Sequence, residues 1–138
     1  MSKTPVRLEA KGIETREVQE VSYKFNQAID KENQPAGIPR GGLITIKCKA
    51  LNGSEGLGDL VNWMTSKTMA KDGEIIFMQS ADADKELKRI KFTQAYCVEF
   101  EEHWEDQTEN TGLAHWEKIT ISCKTMDVAG AAYENQWA

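Results

Sequence analysis

The sequence lacks the features that would assign it to a membrane, secreted or nucleic-acid-binding class. No apolar run is long enough to cross a membrane, and the first residues contain no apolar core of a signal peptide. The chain carries 17 basic and 22 acidic residues, and the resulting net charge of −5 argues against a basic nucleic-acid-binding surface. We therefore expect a protein that folds in the cytoplasm, with no membrane insertion and no nucleic-acid partner. Any export would have to use a route other than general secretion.

Cysteine is also scarce. The 3 cysteines, Cys48, Cys97 and Cys123, are an odd number, lie far apart in the chain and form no C-x-x-C pair. Zinc-binding and redox motifs therefore find no support. Each cysteine falls within a strand-like run, where a free thiol acts as a small buried hydrophobe. We predict three structural, buried cysteines.

Motifs for catalysis are missing as well. The sequence contains no G-x-S-x-G, P-loop, G-x-G-x-x-G or H-E-x-x-H pattern. Carboxylates between residues 99 and 106 could pair for acid–base chemistry, but clustered acids at a strand end more often form a solvated face. We predict no enzymatic activity, no catalytic residue and no cofactor.

The tripeptide His-Trp-Glu occurs twice, at 103–105 and at 115–117. One interpretation is a metal site formed by His103 and His115 with an acidic neighbour, Glu101 or Glu105. The other is a cross-strand aromatic pair of Trp104 with Trp116 beside two ordinary histidines. Because no closely spaced third ligand accompanies the histidines, the second interpretation is favoured and no metal is predicted.

Alternation of apolar and polar residues predicts a chain rich in β-strands. Residues 18–27 alternate clearly, with Val21, Tyr23 and Phe25 on one face. In 95–104, the predicted inward side chains include Val98. The predicted strands are 6–10, 18–27, 43–51, 74–79, 87–93, 95–104 and 118–126.

One amphipathic helix interrupts the strands. Leu57, Leu60, Val61 and Met64 recur at helical spacing over about three turns. Consecutive strands with a single inserted helix are typical of an antiparallel barrel or sandwich. We predict a mainly β (α+β) fold, a two-sheet antiparallel β-barrel with one flanking helix, formed by residues 1–138 as a single domain.

Two segments outside the predicted strands are candidates for contacts with another molecule. Residues 28–42 form a long connection that contains Pro35, Pro39 and Arg40, and long, stiff loops tend to be functional. The tail, residues 128–138, ends with Tyr133 and Trp137 near the terminus, where chain ends usually fray. Either the tail packs on its own body or it meets a neighbouring molecule.

The order of short motifs resembles a known family. The run Tyr-Lys-Phe-Asn-Gln at 23–27 precedes Gln-Pro-Ala-Gly-Ile-Pro-Arg-Gly-Gly at 34–42 and Ile-Thr-Ile at 44–46. Further runs follow at 59–64, 71–77, 90–98, 119–122 and 134–137. No single motif is specific, but their order and spacing over nearly the whole chain resemble the TssD (Hcp-like) tube protein of type VI secretion systems in its Bacteroidetes form.

The resemblance implies a non-enzymatic structural subunit. Such subunits form homohexameric rings that stack into a hollow tube, which a contractile sheath propels out of the cell without a signal peptide. The tube carries a spike at its tip and can hold effector proteins in its lumen. The alternative that remains open is a monomeric ligand- or protein-binding β-barrel module.

In the family, an extended loop after the second main strand reaches a neighbouring subunit or ring. Here that position is residues 28–42. We therefore expect Arg40 to pair with a carboxylate on a neighbour. The predicted oligomer-interface residues are Pro35, Ile38, Pro39, Arg40, Gly41, Asn135 and Trp137.

Overall fold

The computed structural model describes residues 6–51, 53, 55–79, 85–105 and 115–137. These residues contain eight strands and one helix. In chain order they are β1 (Val6–Ala10), β2 (Arg16–Tyr23), β3 (Leu43–Lys49), α1 (Asp59–Thr65), β4 (Lys71–Met78), β5 (Glu86–Trp104), β6 (His115–Ser122), β7 (Thr125–Val128) and β8 (Ala131–Glu134). Among the described residues, no helix combines the length and the apolar character needed to span a bilayer.

Six strands close a barrel. Their order is β4-β1-β2-β3-β6-β5, and β5 pairs back with β4 to complete the circle. All of these neighbours run antiparallel. β7 pairs with the first half of β5, and β8 pairs with β7. The predicted mainly β barrel of two sheets with one helix is confirmed.

The 19-residue strand β5 belongs to both sheets. Its first half pairs with β4 and its second half with β6. The predicted pair of separate strands at 87–93 and 95–104 is wrong, because the chain bends at Gln94 (φ 48°) without ending the strand. A bulge between Cys97 and Glu99 then shifts the alternation. Val98 is consequently 48% exposed rather than inward, and Cys97 is buried in its place.

Aliphatic side chains from both sheets fill the barrel. Their alternation was predicted correctly on β3 and β6, where Ile44 and Ile121 are both fully buried. The three cysteines are also free and buried, as predicted. The other apolar residues of this core are Leu8, Val18, Ile46, Leu60, Trp63, Ile75, Ile90, Phe92, Ala95, Ile119 and Met126.

The helix is shorter than predicted and buries a different face. α1 has 7 residues, about two turns, and buries Leu60 and Trp63. Leu57 precedes its first turn, and both Leu57 (57%) and Val61 (40%) are largely exposed. Trp63 occupies the core position because its ring is fully buried and its Nε1–H donates to the Ala95 carbonyl at 3.1 Å. The sequence pattern omitted this tryptophan and so placed the apolar face wrongly.

A buried arginine joins the helix to the barrel. Arg16, at the start of β2, is 1% exposed. Its guanidinium lies 2.6 Å from Asp59 on α1 and 3.2 Å from Glu117 on β6. Burial raises the pKa of Glu117, although the Arg16 charge opposes that rise. Asp59 is therefore more than a favourable charge at the helix start, since it ties the helix to the barrel wall.

The chain after β6 contains two strands that the sequence did not separate or predict. The expected strand 118–126 is divided into β6 and β7, and the tail forms β8. Ala129 and Gly130 connect β7 to β8 with φ values of 52° and 99°. Positive φ at both central residues is typical of a tight hairpin turn, and the Asp127 carboxylate accepts a hydrogen bond from the Gly130 amide.

Candidate assembly surface

Residues 24–40 form an arm that projects from the barrel between β2 and β3. Every residue in this arm is exposed. β2 ends at Tyr23 rather than at residue 27 as predicted, and Phe25 is 42% exposed rather than inward. The inward alternation stops there because the chain has left the barrel wall.

The two legs of the arm are bonded to each other. The amides of Asn26 and Arg40 each donate to the carbonyl of the other, at 2.9 and 2.7 Å. Farther out, the Ala36 amide donates to the Ala28 carbonyl at 2.7 Å. Short antiparallel bridges at these positions show that the predicted loop is an ordered two-legged structure.

The tip of the arm is a turn organised by one aspartate. The Asp30 carboxylate accepts hydrogen bonds from the amides of Glu32 (2.9 Å) and Gln34 (3.0 Å). The Asp30 amide also donates to the Gln34 carbonyl at 2.9 Å. Asn33 takes the left-handed conformation (φ 66°) that asparagine tolerates in turns. The tip therefore has a defined shape.

The arm displays both apolar groups and a free cation. Ile29 and Ile38 are 59% and 58% exposed. Within the part of the chain that the structure describes, Arg40 has no ion pair or side-chain hydrogen bond. Exposed aliphatic side chains beside an unpaired arginine are a composition suited to burial against another protein surface.

The tail packs against its own subunit, at the base of the arm. The Asn135 amide group donates to the carbonyls of Gly41 (3.2 Å) and Cys123 (2.8 Å). Trp137 is 38% exposed, and its ring lies 5.9 Å from that of Tyr96. The question left open by the sequence is thus answered for the described tail residues, while a contact of Asn135 or Trp137 with a neighbouring copy stays a prediction.

The predicted interface residues therefore fall into two groups. Pro35, Ile38, Pro39 and Arg40 lie on the arm itself and are exposed. Gly41 and Asn135 meet at its base, and the Trp137 ring packs against Tyr96 of β5. The sequence did not reveal Tyr133 as part of this base; its only signal was an aromatic residue close to the chain terminus.

Comparison with known proteins gives this architecture a family. The model of the family described as "Hemolysin coregulated protein Hcp (TssD)" matches residues 3–138. The chain belongs to the Hcp (TssD) family. Hcp proteins are the tube proteins of type VI secretion, so the resemblance found in the sequence is confirmed.

Solved structures agree with the assignment. The structure of Hcp1 from Flavobacterium johnsoniae is 28% identical, with a TM-score of 0.82 over 94% of this chain and 98% of that chain. Hcp1 from E. coli EAEC 042 is 14% identical, with a TM-score of 0.69 over 99% and 100%. The sheath-tube complex of PVC, an extracellular contractile injection system, matches at 17% identity and a TM-score of 0.58, over 91% and 88%. The last two show the shared fold alone. Among curated proteins, no sequence matches the chain.

The His-Trp-Glu repeat of this Hcp-family chain pairs differently from the prediction. Two copies of one tripeptide on antiparallel strands place the histidine of each opposite the tryptophan of the other. His103 therefore stacks on Trp116, with ring centroids 5.0 Å apart, and the Lys47 ammonium lies 4.6 Å from the Trp116 ring. Trp104 faces His115 and is 65% exposed. The expected Trp104–Trp116 pair is wrong.

The same register separates the two histidines. His103 bonds Glu105 at 3.0 Å, and His115 bonds Glu102 at 2.6 Å. Successive residues on a strand point to opposite faces, so paired positions 103–116 and 104–115 place the histidines on different sides of the sheet. Within the described ranges, no three potential ligands gather into a metal-binding group.

Proposed function

We propose that this Hcp-family protein is the ring-forming subunit of a type VI secretion tube. Its copies associate into homohexameric rings, and the rings stack into a hollow tube. In this proposal residues 1–138 form one tube-subunit domain. The observation that carries it is the arm: an ordered projection that places Ile29, Ile38 and Arg40 in solvent, with the described remainder of the chain leaving them exposed.

A partner surface explains the chemistry of the arm. Burial of an exposed isoleucine side chain stabilises an interface by about 1.5–3 kcal/mol. Arg40 adds a charge-assisted contact to a carboxylate on the neighbour, which would fix the register between copies. The bonded legs reduce the conformational entropy lost on docking, because the arm is ordered before it meets its partner.

Further partners follow from the same assignment. The sheath, the spike at the tube tip and effector proteins in the lumen complete the proposed machine. The matched structure of a sheath-tube complex supports a sheath partner, since the tube protein of that complex has this fold. Assembly takes place in the cytoplasm, and the protein leaves through the apparatus without a signal peptide.

The test compares arm variants by light scattering after size exclusion and by negative-stain microscopy. We expect the unmodified protein to give rings, and Arg40→Ala and Ile38→Ser each to weaken ring and tube formation at least tenfold while leaving the fold intact. Lys67→Ala and Leu87→Ser are matched controls, since Lys67 is an exposed cation and Leu87 is 66% exposed, both outside the arm. Unchanged assembly in both arm variants would refute the role of the arm.

The competing candidate is a monomeric ligand- or protein-binding module. A groove of about 570 Å³ beside the arm favours it, with Arg40, Tyr23 and Glu99 among its lining residues. A single-copy species at high protein concentration, with no rings in micrographs, would favour this candidate and overturn the tube proposal.

A further inference from the structure

The base of the arm is held by two side chains from the C-terminal segment. We propose that Tyr133 and Asn135 act as a brace, an intramolecular device that fixes the direction in which the arm leaves the barrel. The brace makes these two residues positioning residues for assembly. The inference rests on the proposed function only for the role of the arm in assembly, because the geometry of the brace lies within one subunit.

Tyr133 contacts both legs of the arm. Its ring lies 5.2 Å from the ring of Phe25 on the outgoing leg. Its hydroxyl accepts a hydrogen bond from the Gly41 amide at 3.0 Å, where the returning leg meets the barrel. The hydroxyl proton goes to the Asn135 side-chain oxygen at 2.7 Å, a shorter contact than the 3.4 Å to the Pro39 carbonyl.

Asn135 connects this hydroxyl to the barrel. Its oxygen accepts from Tyr133, and its Nδ2 donates to both the Gly41 and Cys123 carbonyls. The Asn135 main-chain amide donates to the Lys124 carbonyl at 2.8 Å. Oδ1 and Nδ2 are thus both engaged, and the group cannot rotate without breaking bonds to the arm or to the barrel.

Close packing around the brace explains the glycine pair that follows the arm. A Cβ on Gly41 would overlap the Phe25 ring. Gly42 has φ +96°, and a Cβ there would lie 2.9 Å from the Cys123 carbonyl and closer still to the Asn135 amide nitrogen. Both glycines allow the aromatic ring and the carboxamide to approach the backbone, so sequence and geometry agree on a close-packed joint.

The brace removes a hinge. The hydrogen bonds between the legs that lie nearest the barrel are those of the Asn26–Arg40 pair. Without further contacts, the two legs could therefore swing together about Gly41 and Gly42. Contacts of Tyr133 to Phe25 on the outgoing leg and to Gly41, directly after the returning leg, restrict that pivot. An arm held in one direction loses less entropy when it docks, which favours assembly.

Hydrogen exchange followed by mass spectrometry tests the brace in the full chain, with each variant compared to the unmodified protein in the same assembly state. Tyr133→Phe keeps the ring but removes the bridge between Gly41 and Asn135. We expect arm amides, including those of Asn26, Arg40 and Gly41, to exchange roughly fivefold to tenfold faster, with β3 and β6 unchanged. Tyr23→Phe is the matched control, because the Tyr23 hydroxyl has no hydrogen-bond partner among the described residues.

Asn135→Asp provides a second variant of equal size. It replaces both N–H donors with an oxygen that faces the Gly41 and Cys123 carbonyls, so arm exchange should be at least as fast as in Tyr133→Phe. Exchange of the arm equal to that of the unmodified protein in both variants would overturn the brace. Exchange that rises in these variants while Arg40→Ala and Ile38→Ser still form normal rings would uphold the brace and refute the assembly role of the arm.

Discussion

The guanidinium of Arg16 lies 2.6 Å from the carboxylate of Asp59, and this ion pair fastens α1 to the barrel. Glu117 on β6 completes the group at 3.2 Å from the same guanidinium. One cation thus neutralises two carboxylates whose side chains are 11% and 7% exposed. Removal of that cation leaves both acids poorly hydrated and without a compensating charge, although Asp59 still accepts a hydrogen bond from the Glu14 amide at 2.8 Å.

Arg16→Ala should therefore be strongly destabilising. Loss of one partner of a buried ion pair costs about 3–5 kcal/mol in the free energy of unfolding, because the remaining charge is uncompensated. Urea denaturation followed by tryptophan fluorescence measures this cost. Arg7→Ala is the control, since the Arg7–Glu9 pair is about 40% exposed and should cost less than about 1 kcal/mol. Similar losses in the two variants would contradict the structural role of Arg16.

Glu117 should give the stability of the fold a characteristic pH dependence. Burial raises its pKa above the ordinary value of 4.5, so the folded state binds the proton more tightly than the unfolded state. The stabilisation from this group is complete below pH 4.5 and is lost as the pH rises through the raised pKa. Relative to Glu117→Gln, the unmodified protein should lose stability over that interval.

Urea titrations of both proteins from pH 4 upward give this difference directly. Carboxylates outside this cluster contribute equally to the two proteins, so the difference reports on Glu117 together with Asp59 and Glu102, whose charges act on it. A difference that is constant with pH, or that favours the unmodified protein as the pH rises, would contradict the raised pKa.

The three thiols should resist modification in the folded protein. Burial raises the pKa of Cys48 and Cys123 to about 12 and that of Cys97 to about 11, so little reactive thiolate exists at pH 8. Iodoacetamide labelling should be slow, and Cys97, at 5% exposure, should react before the fully buried Cys48, because a smaller local opening exposes it. Peptide mass spectrometry identifies the order. Rapid labelling of Cys48 in the native protein would contradict this burial.

The strands with a simple alternation could be predicted because burial on one face leaves a period of two in the sequence. Ile44 and Ile46 on β3 and Ile119 and Ile121 on β6 show that pattern and are buried as expected. The bulge on β5 could not be predicted in the same way. Its extra residue changes which residues face inward, and neither Cys97 nor Val98 signals the change.

Arg16 was missed for a different reason. The predicted strand begins at residue 18, whereas β2 begins at Arg16, and an arginine is rarely buried. Its partners come from residues 43 and 101 positions away, and only the fold brings them together. The brace has the same origin: Tyr133 and Gly41 are 92 residues apart. Contacts between such distant residues leave no local pattern to detect.

The prolines of the arm also restrict the ways in which the arm can associate with another chain. Ala36 and Arg40 direct their amides at the opposite leg, so the preceding residues, Pro35 and Pro39, have their nitrogens on the outer side. A proline nitrogen carries no hydrogen to donate, and an incoming strand would find no donor at either position. The returning leg is thus protected against indefinite edge-to-edge growth into fibrils. In the proposed assembly, a neighbouring copy would therefore recognise the arm mainly by its side chains, which would limit association to surfaces of matching shape and charge.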